Sequence, residues 1–424
     1  MRRTSTAPRA QRTPDQIVAV AIAGLALLGV ILRPFKVNEA WWACGGALAL
    51  ILARALPPNA AGAAVVHGLD VYLFLIGMMA LAEFARTEGV FDWIAACAVR
   101  AARGSRGRLL ALVYAAGVCT TAFLSNDATI VVLTPAVLHA VARTDARPHA
   151  YVFACALVAN AASLALPISN PSNLLFFAHA GVPSLGAWLA SFGLAAFAAI
   201  ALTYAALAVL FRRETASYLT VHDGSAPRPR ALARVLLAAS ALVLVATSSF
   251  GGPLGMTACA LGIAAVLLAA TRERTAPRAI VRGIAWPLVA LTAALFVLVE
   301  ALDLAGAGSL PRTLFAWANH VATPPAQIGI AVASALASNV VNNLPVGLDL
   351  GKYVAAAHPP AAFSAAALVG VNVGPNLTAN GSLATLLWLA ILRRANVEVS
   401  PLRFAAVGIV VTPAALLAAA LLAR

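Results

Sequence analysis

The sequence predicts an all-α polytopic membrane protein built from two inverted repeats. Of its 424 residues, 62% are hydrophobic and only 10% are charged, whereas a soluble domain carries about 25% charged residues. Many apolar runs approach the roughly 20 residues that a helix needs to cross a bilayer. A polar motif also occurs twice, with Ser125-Asn126 and Ser338-Asn339 lying 213 residues apart. The chain is therefore predicted to contain an internal duplication.

The net charge of +14 does not indicate a nucleic-acid-binding protein. The arginines fall in short loops between apolar runs, which is the positive-inside pattern of membrane proteins. A nucleic-acid surface would need a basic soluble domain. The five cysteines lie singly in apolar stretches, so we expect neither disulfides nor a thiolate metal site. The first apolar run lacks a cleavage site and is interpreted as a retained span of a multi-pass inner-membrane protein.

Eight apolar runs are predicted to form unbroken spanning helices. They cover 16–33, 38–55, 69–85, 185–211, 235–250, 254–271, 284–302 and 400–422. The run 90–99 is too short to span and predicts an interfacial helix.

Four other apolar segments have polar centres. Residues 109–142 and 325–357 each hold two apolar arms around a polar tip, which predicts a re-entrant helical hairpin. Residues 149–181 and 361–392 are interrupted by Asn, Pro and Gly, which predicts two broken helices. Because lipid offers no partner to open backbone groups, these interruptions should line a cavity within the protein.

The arginine distribution predicts how the two halves are oriented. Both flanks of the first hairpin are basic and should be cytoplasmic. Their arginines are Arg100, Arg103, Arg106, Arg108, Arg143 and Arg147. The flanks of the second hairpin are nearly free of arginine, so the hairpins should enter from opposite faces. Five spans per half satisfy this requirement. We expect a first repeat over 1–211, a cytoplasmic linker over 212–234 and a second repeat over 235–424, while the side of the N-terminus stays open.

The four polar segments predict a substrate chamber near the middle of the membrane. Transporters build such sites from interrupted helices in corresponding positions of two halves, and an Asn side chain both donates and accepts hydrogen bonds. The candidate binding residues are Ser125, Asn126, Asp127, Asn170, Asn173, Ser338, Asn339, Asn342, Asn343, Asn376, Thr378, Asn380 and Ser382. The alternative is that these amides only cap the broken helices and bind one another.

Within these segments the four polar motifs cover 123–135, 168–173, 337–345 and 374–382, and Asp127 is the only acid among them. A carboxylate at membrane depth is costly and usually functional, so Asp127 is the candidate for proton coupling or direct substrate contact. The alternative is a helix cap for the second arm of the hairpin. Glu83 and Glu300 occupy similar places in the two halves. Each is expected either at the membrane interface or facing the interior of the protein.

Catalytic and cofactor motifs are not found in the sequence. It shows no Walker motif, dinucleotide fingerprint, zinc-ligand spacing or nucleophile elbow. We therefore expect no enzyme activity, no cofactor and no ATPase within this chain. The functions that remain are ion-coupled transport, facilitated transport and transport driven by a partner protein.

The motifs resemble those of the arsenite/antimonite efflux permeases, the arsenical pump membrane proteins of the ion transporter superfamily. The resemblance rests on Phe123-Leu-Ser-Asn-Asp-Ala128 with Leu133-Thr-Pro135, Ala162-Ser-Leu164, Ser169-Asn170, Asn173-Leu174, Asn342-Asn-Leu-Pro345, Gly374-Pro-Asn-Leu-Thr378 and Gly381-Ser-Leu-Ala-Thr-Leu-Leu-Trp-Leu389. It implies a scaffold part, a moving transport part and a homodimer. It also implies export of arsenite or antimonite as neutral hydroxides, by proton antiport or with a separate cytosolic ATPase subunit.

The chain departs from the family pattern at three positions. The family has Asp where this chain has Asn160 and Asn372, and Lys where it has Asn376, which leaves Asp127 as the main titratable group. The alternative function is a sodium- or proton-coupled anion transporter of the same superfamily. Because none of the four motifs contains Arg or Lys, a neutral small inorganic solute is favoured over an anion.

Overall fold

The computed structural model describes residues 13–34, 37–221, 226–271, 276–306 and 309–424, and its regular secondary structure is helical throughout. The first half contains α1 Pro14–Leu32, α2 Glu39–Leu52, α3 Pro58–His67, α4 Leu69–Thr87, α5 Val90–Ala101, α6 Arg106–Leu124, α7 Asn126–Ala128, α8 Thr134–Val141, α9 His149–Ala161, α10 Pro171–Phe176, α11 Leu185–Leu210 and α12 Arg212–Thr215. The second half contains α13 Ala231–Ser249, α14 Leu254–Ala270, α15 Ala276–Gly283, α16 Trp286–Leu304, α17 Ser309–Ala318, α18 Thr323–Val341, α19 Asn343–Ala357, α20 Ala361–Val373, α21 Leu383–Arg394 and α22 Pro401–Leu422.

The predicted fold class is confirmed. Among the described residues, seven helices are long and apolar enough to cross a membrane, or eight if the bent pair α3–α4 forms one span. Both predicted hairpins and both broken helices are present, the latter as α9–α10 and α20–α21. The helix predicted over 38–55 ends early, at Leu52, because Arg54 takes a left-handed backbone conformation with a φ of 57°. The polar N-terminus, whose side the sequence left open, lies outside the described residues.

The two halves contain the same elements in the same order. In each half a short helix precedes the third long helix, a hairpin follows, and a broken helix leads to a long closing helix. The packing between halves is reciprocal, since α4 contacts α14 while α2 contacts α16, and α11 contacts α22. Exchanging the halves therefore maps these contacts onto one another. The opposite orientation of the halves and the boundaries 1–211 and 235–424 stay predictions of the arginine pattern.

Glycines allow the α4–α14 contact to be unusually close. A Cβ atom on Gly77 would overlap the backbone of Ala258, and one on Gly255 would overlap the backbone of Asp70. A Cβ atom on Gly262 would lie 2.9 Å from the Cα atom of Gly77. Small residues at helix contacts let backbones approach in lipid, where no hydrophobic force drives helices together. This contact joins the two halves.

The linker predicted over 212–234 folds back against the first hairpin. Isolated antiparallel bridges join Ser105 to Tyr218 and Thr144 to Val221, so the linker contacts both ends of the hairpin. The backbone N–H of Thr220 donates to Asp145 Oδ1 at 2.9 Å. This bond and the nearby Arg106 guanidinium hold the pKa of Asp145 below its usual value. Residues 222–225 of the linker lie outside the described residues.

Candidate transport site

Each hairpin breaks at one residue with the same rare backbone conformation. Ser125 has φ 91° and ψ 161°, and Asn342 has φ 92° and ψ 151°. Residues other than glycine seldom adopt positive φ. The structure therefore makes Ser125 equivalent to Asn342, and Asn126 equivalent to Asn343. The repeated Ser-Asn motif in the sequence is out of register by about one helical turn, because α18 continues past Ser338 before it breaks.

A helix N-terminus lies immediately after each break. Such an end exposes backbone N–H groups that attract anions or lone pairs. At the second tip, Asn342 Oδ1 accepts a hydrogen bond from the N–H of Leu344 at 3.1 Å. At the first tip, Ser125 occupies the cap position without a side-chain cap bond. Asp127 lies inside the first turn of α7, so the structure does not place it as the helix cap.

Three polar atoms at the tips are buried without a hydrogen-bond partner among the described residues. They are Asn126 Oδ1, Ser338 Oγ and Asn342 Nδ2. Their residues are 2%, 0% and 7% exposed, respectively. An unsatisfied buried polar group costs about 1–3 kcal/mol. These atoms are therefore the groups of the candidate set best placed to gain from a bound polar solute.

The amides of the two broken helices bind one another across the halves. Asn160 Nδ2 donates to Asn376 Oδ1 at 3.0 Å, and Asn170 Nδ2 donates to Asn372 Oδ1 at 2.7 Å. Asn372 Nδ2 in turn donates to Asn173 Oδ1 at 2.9 Å. We call these five residues the asparagine ladder. For Asn170, Asn173 and Asn376 this geometry matches the alternative in which the amides join the broken helices.

The second broken helix is held by the end of α18. Asn339 Nδ2 donates to the Gly374 carbonyl at 2.8 Å, and Thr378 Oγ1 donates to Asn339 Oδ1 at 2.7 Å. Ser382 Oγ caps α21 by accepting from the N–H of Ala384 at 3.3 Å. Asn339, Thr378 and Ser382 therefore stabilise the interruption between α20 and α21 by hydrogen bonds. Asn343 is buried at the start of α19.

The two tips border small, neighbouring cavities. Asp127 and Ser125 line a cavity of about 60 Å³ together with Glu83. Asn342 and Asn380 line a cavity of about 20 Å³. Both cavities also contact α16 and α21, through Leu288 and Leu387 at the first, and Leu291 and Leu386 at the second. Of the candidate residues, Ser125, Asp127, Asn342 and Asn380 thus line the two tip cavities, while Asn170, Asn173 and Asn376 belong to the asparagine ladder.

Sequence reasoning missed one charged residue at the second tip cavity. Arg33, at the end of α1, lines this cavity beside Asn342. Its guanidinium Nε lies 3.2 Å from the Glu39 carboxylate. Arg33 stands far from the four motifs in sequence and follows an ordinary apolar span, so no local pattern marked it.

Two larger cavities lie away from the tips. One, of about 360 Å³, is lined by the charged and imidazole side chains of His67, His179, Glu300, Asp303 and Lys352. The other, of about 300 Å³, lies at the base of the first hairpin and is lined by Asp92, His139 and Arg143. Each larger cavity is therefore bordered by the part of a hairpin remote from its tip.

The chain is similar to several transporters along most of its length. It is 30% identical to an arsenical pump membrane protein of Yersinia enterocolitica over 346 residues, covering 77% of this chain and 79% of that protein. It is 26% identical to the arsenical pump membrane protein of Escherichia coli K12 over 419 residues, covering 93% and 95%. It is also 27% identical to an uncharacterized transporter of Mycobacterium tuberculosis H37Rv, covering 96% and 97%.

The fold is similar to that of a solved transporter. The crystal structure of the Alcanivorax borkumensis YdaH transporter, described as having an unusual topology, matches with a TM-score of 0.56 and covers 97% of each chain. At 18% identity this likeness concerns the fold alone.

A family model described as citrate transporter matches residues 25–379. Together with the arsenical pump relatives, this match confirms the resemblance that the motifs predicted. The chain belongs to the citrate transporter family, and it is a secondary membrane transporter related to the arsenical pump membrane proteins.

Proposed function

We propose that this transporter exports arsenite and antimonite as neutral hydroxides. The observation that carries the proposal is the set of buried, unpartnered polar atoms at the two tips. Asn126 Oδ1 accepts hydrogen bonds, Asn342 Nδ2 donates them, and Ser338 Oγ does both. A neutral hydroxide has hydroxyl groups that both donate and accept. At either tip, such a solute would offer hydrogen-bond partners to these atoms without adding a buried charge.

The size of the tip cavities and the relatives support the same substrate class. Cavities of about 60 and 20 Å³ suit a small inorganic solute in a nearly closed state. The relatives named arsenical pump membrane proteins align with most of this chain.

The second candidate function is transport of an organic or inorganic anion. Arg33 favours it, because it places a cation on the wall of the second tip cavity, and the family description names citrate. Its ion pair with Glu39 already balances this charge, however. We therefore place the neutral solute first.

Asp127 is the proposed proton-coupling residue. It is partly buried in the first tip cavity and has no ion-pair partner among the described residues. Burial penalises the ionised form of a carboxyl group, so proton binding there would depend on how far the cavity is open. Sodium coupling and drive by a cytosolic ATPase subunit are the alternatives to a proton antiport.

The proposal places the protein in the cell inner membrane, as a homodimer like that expected of its relatives. It also keeps the division into repeats 1–211 and 235–424, with 212–234 as a cytoplasmic linker. The basic flanks of the first hairpin support this orientation.

The test is solute flux in proteoliposomes that contain only this protein. We expect a proton gradient to drive arsenite and antimonite uptake, and citrate to remain outside. Ser338→Ala should reduce arsenite flux because it removes an unpartnered hydroxyl at the tip, whereas the exposed Ser249→Ala should not. Citrate flux without arsenite flux would establish the anion alternative, and arsenite flux driven by sodium would replace the proton as coupling ion.

A further inference from the structure

Two glutamates occupy equivalent positions in the two halves. Helices α4 and α16 begin at Leu69 and Trp286, and the same spacing of 217 residues separates the tip residues Ser125 and Asn342. This spacing pairs Glu83 with Glu300. Neither glutamate belongs to the polar motifs, and each lines a cavity that a hairpin also borders.

Glu300 lines the cavity of about 360 Å³, beside a lysine with two carboxylate partners. Lys352 Nζ donates to Glu300 Oε2 at 2.7 Å and lies 2.9 Å from Asp303 Oδ2. The rings of His67 and His179, with centroids 4.3 Å apart, line the same cavity. The cavity of about 360 Å³ has room for water at this carboxylate.

Glu83 lies at the first tip cavity, which it shares with Asp127. The Glu83 residue is 6% exposed, and Arg86 Nε donates to its Oε2 atom at 2.8 Å. The Arg86 side chain itself is 48% exposed. The packed helix α15 contributes Gly283 to the cavity, with the exposed Arg282 beside it in sequence.

Both glutamates can be neutralised without stranding a buried cation. If Glu300 takes up a proton, Lys352 keeps Asp303 as its partner. If Glu83 takes up a proton, Arg86 remains accessible to water. Breaking a buried ion pair is otherwise strongly destabilising because it leaves an uncompensated charge. Glu300 and Glu83 can therefore be protonated without the cost of an uncompensated buried cation, and they do so at equivalent positions in the two halves.

We propose that Glu300 and Glu83 are the outer and inner proton-binding sites of the transport cycle. The proposal rests on the proton antiport proposed above, in which Asp127 is the coupling residue. A proton from external water binds a Glu300 carboxylate oxygen and later reaches Asp127 when the transport part moves. Asp127 passes it within the shared cavity to Glu83, which releases it to cytoplasmic water. One proton is gained outside and one is lost inside, so charge and atoms balance.

The first experiment needs no transported solute. Infrared difference spectra of the protein in lipid vesicles, recorded on stepping the pH, detect protonated carboxyl groups. Glu300→Gln and Glu83→Gln should each remove part of this carboxyl band, whereas the exposed Glu398→Gln should remove none of the pH-dependent band of buried acids. An unchanged band in both E300Q and E83Q would overturn the proposal, whatever the protein transports.

The second experiment separates this proposal from the transported substrate. Arsenite–arsenite exchange without a gradient reports substrate binding and alternation, while proton-driven accumulation reports coupling. We expect both variants to retain exchange and to lose accumulation, with E300Q changing the dependence on external pH and E83Q the dependence on internal pH. Retained accumulation with wild-type pH profiles would refute the proton sites. Failure of wild-type arsenite exchange would refute the proposed substrate instead, and the infrared result would still decide on the two glutamates.

Discussion

Asparagine side chains serve two purposes in this protein. Those of the asparagine ladder bind one another across the two broken helices and leave Asn160 Oδ1 as their one unpartnered atom among the described residues, whereas Asn126 and Asn342 lie outside this network and each keep an unpartnered atom at a tip. A satisfied buried network makes its surroundings rigid, while an unsatisfied buried group gains from a ligand. The position of an asparagine in the fold therefore determines its role, which is to join the broken helices in the ladder and to bind a solute at a tip.

The ladder predicts a stability loss at Asn372. Asn372→Ala removes the acceptor for Asn170 and the donor for Asn173, and leaving a buried polar group unpartnered costs about 1–3 kcal/mol. We expect a lower thermal unfolding temperature in detergent. The control is Asn319→Ala, which changes an exposed asparagine. Equal unfolding temperatures for the two variants would show that the ladder contributes no stability.

A substitution at Asp127 is expected to abolish proton coupling and to leave folding intact. Asp127→Asn retains the size of the side chain but cannot take part in proton transfer as a carboxylic acid. We expect proton-driven arsenite export in vesicles to be abolished while the protein remains folded. Asp15→Asn, at the exposed start of α1, is the control. Wild-type export with wild-type pH dependence in the Asp127 variant would remove this residue from the mechanism.

At the scale of elements, the two hairpins differ although their tips match. The return arm of the first contains a π-helical segment, Thr129–Leu133, whereas α19 is a regular helix. Single-turn π segments in α-helices are frequent at functional sites. Thr121 and Thr129 share a hydrogen bond of 2.8 Å between the two arms. The first hairpin is thus the element in which Asp127 sits beside an irregular backbone.

The second broken helix depends on a glycine at its break. A Cβ atom on Gly381 would lie 2.6 Å from Pro375 Cα and 2.8 Å from Asn339 Oδ1. We expect Gly381→Ala to displace Asn339 and to lower both transport and thermal stability. Gly186→Ala in α11 is the matched control, because a Cβ atom there meets nothing within 4 Å. Wild-type stability in the Gly381 variant would show that the break tolerates a side chain.

The sequence predicted elements better than the pairing between them. Apolar runs and Pro or Gly interruptions are local signals, so the long helices, both hairpins and both broken helices were predicted, whereas the short helices α3, α15 and α17 were not. The repeated letters alone align Ser338-Asn339 with Ser125-Asn126, whereas the backbone breaks at Ser125 and Asn342, so the spacing of the repeat does not give the register of the tips. Arg33 and the division of the asparagines depend on contacts between distant segments, which no local pattern encodes.

At the scale of the whole molecule, the linker ties the two ends of the first hairpin together. The bridges to Ser105 and Thr144 lie on either side of that hairpin. Near the linker's far end, Arg230 Nε donates to Glu88 Oε2 at 2.8 Å. The second hairpin is instead joined to α16 through Lys352. The linker therefore constrains the base of the first hairpin.

Asp145 gives this constraint a pH dependence. Its pKa is lowered in the folded protein, so its stabilising effect is present above the usual value of about 3.9 and is lost as the pH falls through the lowered one. We expect Asp145→Asn to speed amide hydrogen exchange of Thr220 at neutral pH. Acidification should do the same in the wild type after correction for intrinsic rates. The exposed Asp15→Asn is the control, and unchanged exchange at Thr220 would show that Asp145 does not hold the linker.

The glycine contact between α4 and α14 has a consequence for biosynthesis. Its two faces, around Gly77 and Gly262, are nearly half a chain apart, and a Cβ atom on either glycine would overlap the opposite helix. While the ribosome is still translating the second half, α4 lies in the membrane without α14, the helix against which it packs. We therefore expect the first half, expressed alone, to be held by insertion factors or degraded, and co-expression of the second half to rescue it.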